Sequence, residues 1–272
     1  MPSFLCARIA EVAMRKSGKK IGILGFGEVG KAIFNVYEGK GFSPAIKDLD
    51  RQDPEFADLD VLNISIPFLQ NFGEIALLTI KDFVKKDGIV VIHSTVAPGT
   101  TRQVGEKLKK NGLLDISLGQ SPIRGIHPRL EEGIRTFTKF VGTNNPEAGR
   151  KIAQHFSEDL GLTVEIFTPS EATELGKLLD TDYYAVCVAF HGYAKEWCDK
   201  YGVNFDDAVT AFNRSYNEGY TKLGKTNVVR PVLYPPQKDG GKIGGHCLVP
   251  NAIISAKDKE MGALWDFIKK FS

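Results

Sequence analysis

From Lys20 onward the apolar positions fall in short runs separated by longer amphipathic stretches. KIGIL (20–24) leads through the turn GFGEVG (25–30) into the helical pattern KAIFNVYEGKG (31–41) and a second short run, SPAIKD (43–48). DVLNISIP (60–67) precedes the helical NFGEIALLTIKDFVKK (71–86), and GIVVIHSTV (88–96) precedes a helix starting near PGTTRQVGEKL (98–108). KFVGT (139–143) and TVEIF (163–167) read as further strands on either side of the helix PEAGRKIAQHFSEDL (146–160). Short continuous apolar runs alternating with amphipathic helices predict an α/β fold with a doubly wound parallel sheet, covered on both faces.

After Phe167 strands give way to helical periodicity, so a boundary is placed near Pro169. This divides the chain into an N-terminal extension (1–19), an α/β domain (20–168) and an all-helical domain (169–272). SEATELGKLLDTDYYAVCVAFHGYAKEWCDKYG (170–202) predicts one central helix of about 30 residues, long for a globular protein. Its middle, YYAVCVAF (183–190), is apolar on every face and should be buried all round, within the chain or against a second copy in a homodimer. Asn204 caps a further helix, NFDDAVTAFNRSY, with Asp206 and Asp207 in its first turn. A long Gly/Pro-rich loop (217–245) follows, and NAIISAKDKEMGALWDFIKKF (251–271) closes the chain as one amphipathic helix.

Composition narrows the function. Of 272 residues, 42% are hydrophobic and 25% charged, an ordinary globular balance. With 35 basic and 33 acidic residues and no basic block, nothing points to nucleic acid or a membrane surface. No run approaches the roughly 20 apolar residues of a membrane span, and Arg8 and Glu11 interrupt the only apolar stretch near the N-terminus. That segment reads as a short helix or an extension. Cys6, Cys187, Cys198 and Cys247 form no CxxC pair, which argues against disulfides or zinc and for a reducing, cytoplasmic compartment. Cys187 and His191, four residues apart on one helix, could ligate a metal, but their apolar setting favours core packing and no metal is expected.

GFGEVG satisfies GxGxxG directly after a strand and at the start of a helix, so the sheet is Rossmann-type. Gly25 permits the turn, Gly27 lets the backbone approach a pyrophosphate, and Gly30 allows close helix packing; Phe26, Glu28 and Val29 complete the loop. Asp48, 18 residues after Gly30, suits the ribose hydroxyls of NAD and disfavours a 2′-phosphate, although Arg51 nearby keeps NADP open. Pro67, Ser94 and Thr95 lie at the carboxyl ends of later strands, the edge where α/β sheets bind ligands, and Thr100 or Thr101 reads as a helix cap. In KIGGHCLVP (242–250), Gly244 and Gly245 allow close ligand approach. Cys247 precedes a helix predicted to start near Pro250 or Asn251, a setting that lowers a thiol pKa, with His246 adjacent; an inert buried cysteine is the alternative. In SPIRGIHPRLEEG (121–133), Arg124, His127 and Arg129 suit a phosphate or carboxylate on a small-molecule substrate, or else form a solvated basic loop.

Four motifs together, GFGEVG, HSTVAPGTT (93–101), SEATELGKLLDTDYYAV (170–186) and GGKIGGHCLVPNA (240–252), resemble in order and spacing the UDP-glucose/GDP-mannose dehydrogenase family, over residues 20 to about 265. The resemblance implies NAD-dependent oxidation of a sugar primary alcohol to a carboxylate, with two NADH formed. It also implies that Cys247 is the nucleophile of a thiohemiacetal and thioester, that Lys177 binds substrate and stabilises the oxyanion, and that Thr95 positions water or substrate. In the relatives the long helix forms a dimer core. Three positions depart from the family. The asparagine one turn after the lysine is Thr181, the acid four residues after the cysteine is Asn251, and the acid of the SPE motif is Ile123. None of the three side chains present here is a general base. The chain is also expected to lack the family's C-terminal nucleotide-sugar domain. These features imply an NAD-dependent dehydrogenase acting on a sugar or sugar-like alcohol. The alternatives are a two-electron hydroxyacid-type enzyme using Lys177 as acid or base without need of Cys247, or a non-catalytic NAD-binding protein.

Overall fold

The computed structural model describes residues 18–235, 248–258 and 261–269. Strands β1 (Ile21–Leu24), β2 (Ala45–Asp48), β3 (Arg51–Gln52), β4 (Leu59–Ile64), β5 (Val84–Ile92), β6 (Ser117–Gln120), β7 (Lys139–Gly142) and β8 (Val164–Phe167) form one sheet. Their order is β3-β2-β1-β4-β5-β6-β7-β8, parallel except for the β2/β3 and β6/β7 pairs. Between them run α1 (Glu28–Glu38), α2 (Phe72–Phe83), α3 (Thr100–Lys110), α4 (Leu130–Thr136) and α5 (Pro146–Gln154), the last continued by a π-helical turn, His155–Asp159.

The period-two alternation of the strands feeds two cores. Ile21, Ile23, Val61 and Val91 face Val36 and Tyr37 of α1 and Ile152 of α5. Leu62, Ile64, Val90 and Ile92 face Ala76 and Ile80 of α2 and Val104 of α3. Because both faces of the inner strands are covered, β1, β4 and the second half of β5 have no polar side to show water, and their continuous apolar runs follow from that.

The chain divides into two units, one up to Lys177 and one from Leu178. Helix α6 (Glu171–Tyr201) has 31 residues and spans this division in sequence. The second unit also contains a π-helical turn (Asp206–Thr210), α7 (Ala211–Lys222), α8 (Leu248–Ser255) and α9 (Gly262–Ile268). Ala185, Ala189, Ala252 and Ile268 form its core, with Leu248, Leu264 and Trp265 against them. Among the described residues no helix is long and apolar enough to cross a membrane.

Several boundaries differ from expectation. β5 runs Val84–Ile92, leaving His93 to Val96 beyond the strand, and the two-residue β3 was not anticipated. Gly99, in the left-handed region at φ 85°, is the residue that precedes α3, rather than a threonine cap. The C-terminal pattern is two helices, and α8 starts at Leu248; Pro250 falls in its first turn, where the missing N–H would have had no helical partner. α7 persists to Lys222, so the long loop begins later than expected. In the middle of α6, Ala185 and Ala189 are buried but Tyr183 and Phe190 are 62% and 54% exposed, so the described residues cover only one side.

Candidate dinucleotide-binding edge

The strand order reverses between β1 and β4, and ligands of open α/β sheets bind at the carboxyl ends of such a switch point. Gly25 follows β1 there with φ 90°, its N–H donating to the Lys47 carbonyl at 2.8 Å. A Cβ on Gly25 would lie 2.9 Å from the Ser65 backbone, and one on Gly30 would strike the Gly25 carbonyl. These two glycines are required by the protein's own packing. Gly27 is different: its φ is −70°, and a Cβ there would meet no protein atom. The open space at the N-terminus of α1 is a cradle that fits a pyrophosphate. Asp48 is fastened to the same loop, its Oδ2 accepting from the Phe26 N–H at 3.0 Å and its Oδ1 from Leu49 N–H at 2.9 Å. Arg51 donates twice to Asp53, at 2.8 and 3.0 Å, and its guanidinium lies 5.6 Å from the Phe26 ring centre.

Gly27→Ala is therefore expected to fold with stability unchanged within ~0.5 kcal/mol, since alanine adopts this backbone freely. Dinucleotide affinity should fall about tenfold, ~1.4 kcal/mol, because the methyl occupies the cradle. Calorimetric titration beside a denaturant melt separates the two effects, and equal affinities would place the ligand elsewhere.

At the same carboxyl edge, Pro67 is exposed, Thr95 is half-buried and Ser94 is buried, its hydroxyl donating to the Ile66 carbonyl at 2.6 Å. Ser94 thus ties the ends of β4 and β5 together. The loop after Thr95 is held by a residue that the motif reading passed over, Glu174 of α6. Its buried carboxylate accepts from Gly99 N–H (2.6 Å), Thr101 N–H (2.8 Å) and the Thr101 hydroxyl (2.7 Å). Burial pushes this carboxyl above the ordinary range, against the lowering by those donors. Glu171 adds an ion pair to Arg102 at 2.8 Å. The EATEL stretch therefore caps α3 and fixes the start of α6, on which Lys177 sits half-buried one turn later.

Arg124 donates to the Thr138 carbonyl and lies 3.9 Å from the Phe140 ring centre, while Arg129, just before α4, pairs with Glu132 in that helix. His127 meets Glu28 at 2.7 Å, bringing the SPIR loop onto the glycine turn. Ile123, at the position of the family's acid, is 6% exposed and packs in the core with Leu130 and Ile134. A carboxylate there would be buried among apolar groups. Sequence reading also missed a buried polar row of Tyr37, Asn63, His93, Lys139 and His155. Its signals were an asparagine inside the apolar run DVLNISIP and a lysine opening the strand KFVGT.

In the second unit Thr181 and Asn251 come together, the Asn251 amide donating to the Thr181 hydroxyl at 3.3 Å, both buried. The two substituted family positions have become partners of each other. Asp182 beside them is buried, which pushes its carboxyl up, with Ser255 opposing. His191 Nδ1 lies 2.6 Å from the Cys187 carbonyl, a backbone tie one turn back along α6. Cys247, His246, Gly244, Gly245, Cys6 and the N-terminal extension as far as residue 17 lie outside the described residues.

A glycine turn at the switch point of such a sheet, followed by a helical unit, defines the class: a dinucleotide-binding α/β fold of the dehydrogenase type. Its homologues are nucleotide-sugar dehydrogenases of the UDP-glucose/GDP-mannose dehydrogenase type. The chain is 27% identical over 176 residues to a UDP-N-acetyl-D-mannosamine dehydrogenase of Methanococcus maripaludis, covering 64% of this chain and 36% of that protein. It is 23% identical over 242 residues to the Methanocaldococcus jannaschii enzyme of the same name, covering 86% and 52%. The matches thus span about half or less of these relatives' length. In fold it resembles the UDP-D-ManNAc dehydrogenase of Pyrococcus horikoshii (TM-score 0.74, 16% identity, 93% of this chain and 68% of that one). It also resembles, less closely, Mycobacterium tuberculosis 3-hydroxyisobutyrate dehydrogenase (TM-score 0.66, 16% identity, 93% of both chains). No family model matches the chain.

Proposed function

We propose that this chain is an NAD-dependent dehydrogenase that oxidises an alcohol on a sugar or sugar-like substrate. The observation that carries the reading is the cradle at Gly27, open where the protein has no packing need for a glycine, with Asp48 fastened beside it. Gly25, Gly27 and the first turn of α1 would hold the pyrophosphate, and Asp48 the ribose hydroxyls. Arg51, engaged by Asp53, is not aimed at a 2′-phosphate, which supports NAD over NADP. The bound nicotinamide would serve as hydride acceptor. Lys177 would place a positive charge where an oxyanion develops, and Thr95 would orient substrate or water. Cys247 is proposed as the nucleophile for a second oxidation on the strength of its motif.

A second reading, one two-electron oxidation, is favoured by the Thr181–Asn251 pair and by Ile123 in the core, since these positions supply no base for thioester hydrolysis. The deciding measurement is NADH formed per substrate consumed, across nucleotide sugars, sugar phosphates and hydroxy acids. Two per substrate, falling to one or none in Cys247→Ser, supports the four-electron reading; one, insensitive to that change, supports the second; tight NAD binding without turnover of any substrate leaves a binding protein. The exposed Tyr183, Phe190 and Trp197 of α6 support a homodimer through this helix, and a monomer in sedimentation would remove that part.

A further inference from the structure

The floor of the carboxyl edge contains two buried bases. His93 stands one residue beyond β5 and Lys139 opens β7. The protonation of His93 follows from the hydrogen-bond chain that ends on it. Asp159, an anion paired with Lys19, lies 2.7 Å from His155 Nδ1, which must therefore donate. His155 Nε2 is then bare and accepts from the Tyr37 hydroxyl at 2.7 Å; burial pushes Tyr37 far up, so it stays a phenol. Having given its proton to His155, Tyr37 Oη accepts from Asn63 Nδ2 at 3.3 Å, and the same amide donates to the Gly22 carbonyl at 3.3 Å. Asn63 Oδ1 is left facing His93 Nε2 at 2.9 Å, while His93 Nδ1 faces the Ser121 carbonyl at 2.7 Å.

An imidazole with an acceptor at each nitrogen is satisfied only as the imidazolium. Yet Lys139 Nζ donates to the same Ser121 carbonyl at 3.1 Å and to Pro122 at 3.2 Å. Two full charges sharing one buried carbonyl repel strongly. Arg124 and Lys177 add to that repulsion at Lys139, and His155, the other base near His93, is neutral in the hydrogen-bond chain above. Burial is the largest influence on both, lowering Lys139 to about 7 and His93 well below the usual imidazole range. Asp159, the acid at the far end of the row, is already matched by Lys19 and His155.

We propose that His93 and Lys139 hold no more than one proton between them near neutral pH and take up more when negative charge binds at the carboxyl edge above them, so that dinucleotide binding is coupled to proton uptake. This rests on the dinucleotide reading above. Both bases lie at that edge, because β6 ends at Gln120 and the carbonyls of Ser121 and Pro122, which Lys139 holds, continue from it. NADH carries one more negative charge than NAD⁺, so the reduced form should draw in more proton.

The test is calorimetric titration of NADH and of NAD⁺ at about pH 7.5 in phosphate and in Tris, whose different ionisation heats report the protons exchanged. Expected are an uptake of about half a proton with NADH, less with NAD⁺, and at least a twofold smaller uptake in Lys139→Met. Binding heats that do not depend on buffer, or uptake equal for the two nucleotides, overturn the coupling while leaving the dinucleotide site intact. Uptake unchanged in Lys139→Met overturns it as well. No binding of either nucleotide sinks the dinucleotide reading, and the coupling with it. The wild-type comparison of the two nucleotides decides the matter even if the variant does not fold.

Discussion

Lys139→Met is expected to stabilise the α/β unit at neutral pH and to flatten its stability above pH 7. Lys139 is buried, and burial, followed by the nearby Arg124 and Lys177 charges, lowers its amine from the ordinary 10.5 to about 7. Between those values the unfolded chain binds the proton and the folded chain does not. Wild-type stability should therefore rise with pH across that window, by up to ~1.4 kcal/mol per pH unit, and fall as pH drops through the folded value. At pH 7 the penalty is about 4 kcal/mol. Methionine removes the penalty but strips the Pro122 carbonyl of its donor, a cost of about 1–3 kcal/mol. Ser121 keeps His93. The net gain should be of the order of 2 kcal/mol at pH 7, gone near about pH 9 and reversed toward pH 10, where only the loss of the donor remains. Urea melts across this range check it; a variant parallel to wild type at every pH would show that Lys139 is not depressed.

Glu174→Ala should cost about 4 kcal/mol. The carboxylate receives two backbone N–H groups and a hydroxyl at the start of α3, and alanine leaves Gly99 and Thr101 N–H buried without an acceptor, at about 1–3 kcal/mol each. The positive end of the helix dipole also loses its anion, worth up to ~1 kcal/mol. Glu174→Gln keeps one acceptor oxygen and turns an amide toward the other donor, so about half the loss is expected. Chemical denaturation measures both. A loss below ~1 kcal/mol in the alanine variant would mean that water replaces the carboxylate and that Glu174 does not anchor the loop carrying Thr95.

The sheet was legible because strands buried on both faces leave continuous apolar runs, and the glycine turn because Gly25 and Gly30 answer steric needs that no other residue meets. The helical half was read less well. α8 and α9 share one hydrophobic period, and the break between them is not marked by it. Glu174 looked like part of a family signature rather than a cap, since its partners lie more than 70 positions away in the chain.

By itself the sequence determined the α/β architecture, the glycine turn after β1 with Asp48 at the end of β2, and the presence of Ile123, Thr181 and Asn251 at three positions where the resemblance leads one to expect other residues. Those are matters of period and residue type, written locally. Only the tertiary structure decided what the substituted residues do: Ile123 fills core, and Thr181 and Asn251 satisfy one another. It alone assembled Tyr37, Asn63, His93, Lys139 and His155 from α1, β4, the end of β5, β7 and the turn after α5 into one buried row. A hydrogen bond between distant segments depends on the direction of each side chain across the sheet, which strand periodicity constrains only to a face, and on donors and acceptors that have no local pattern.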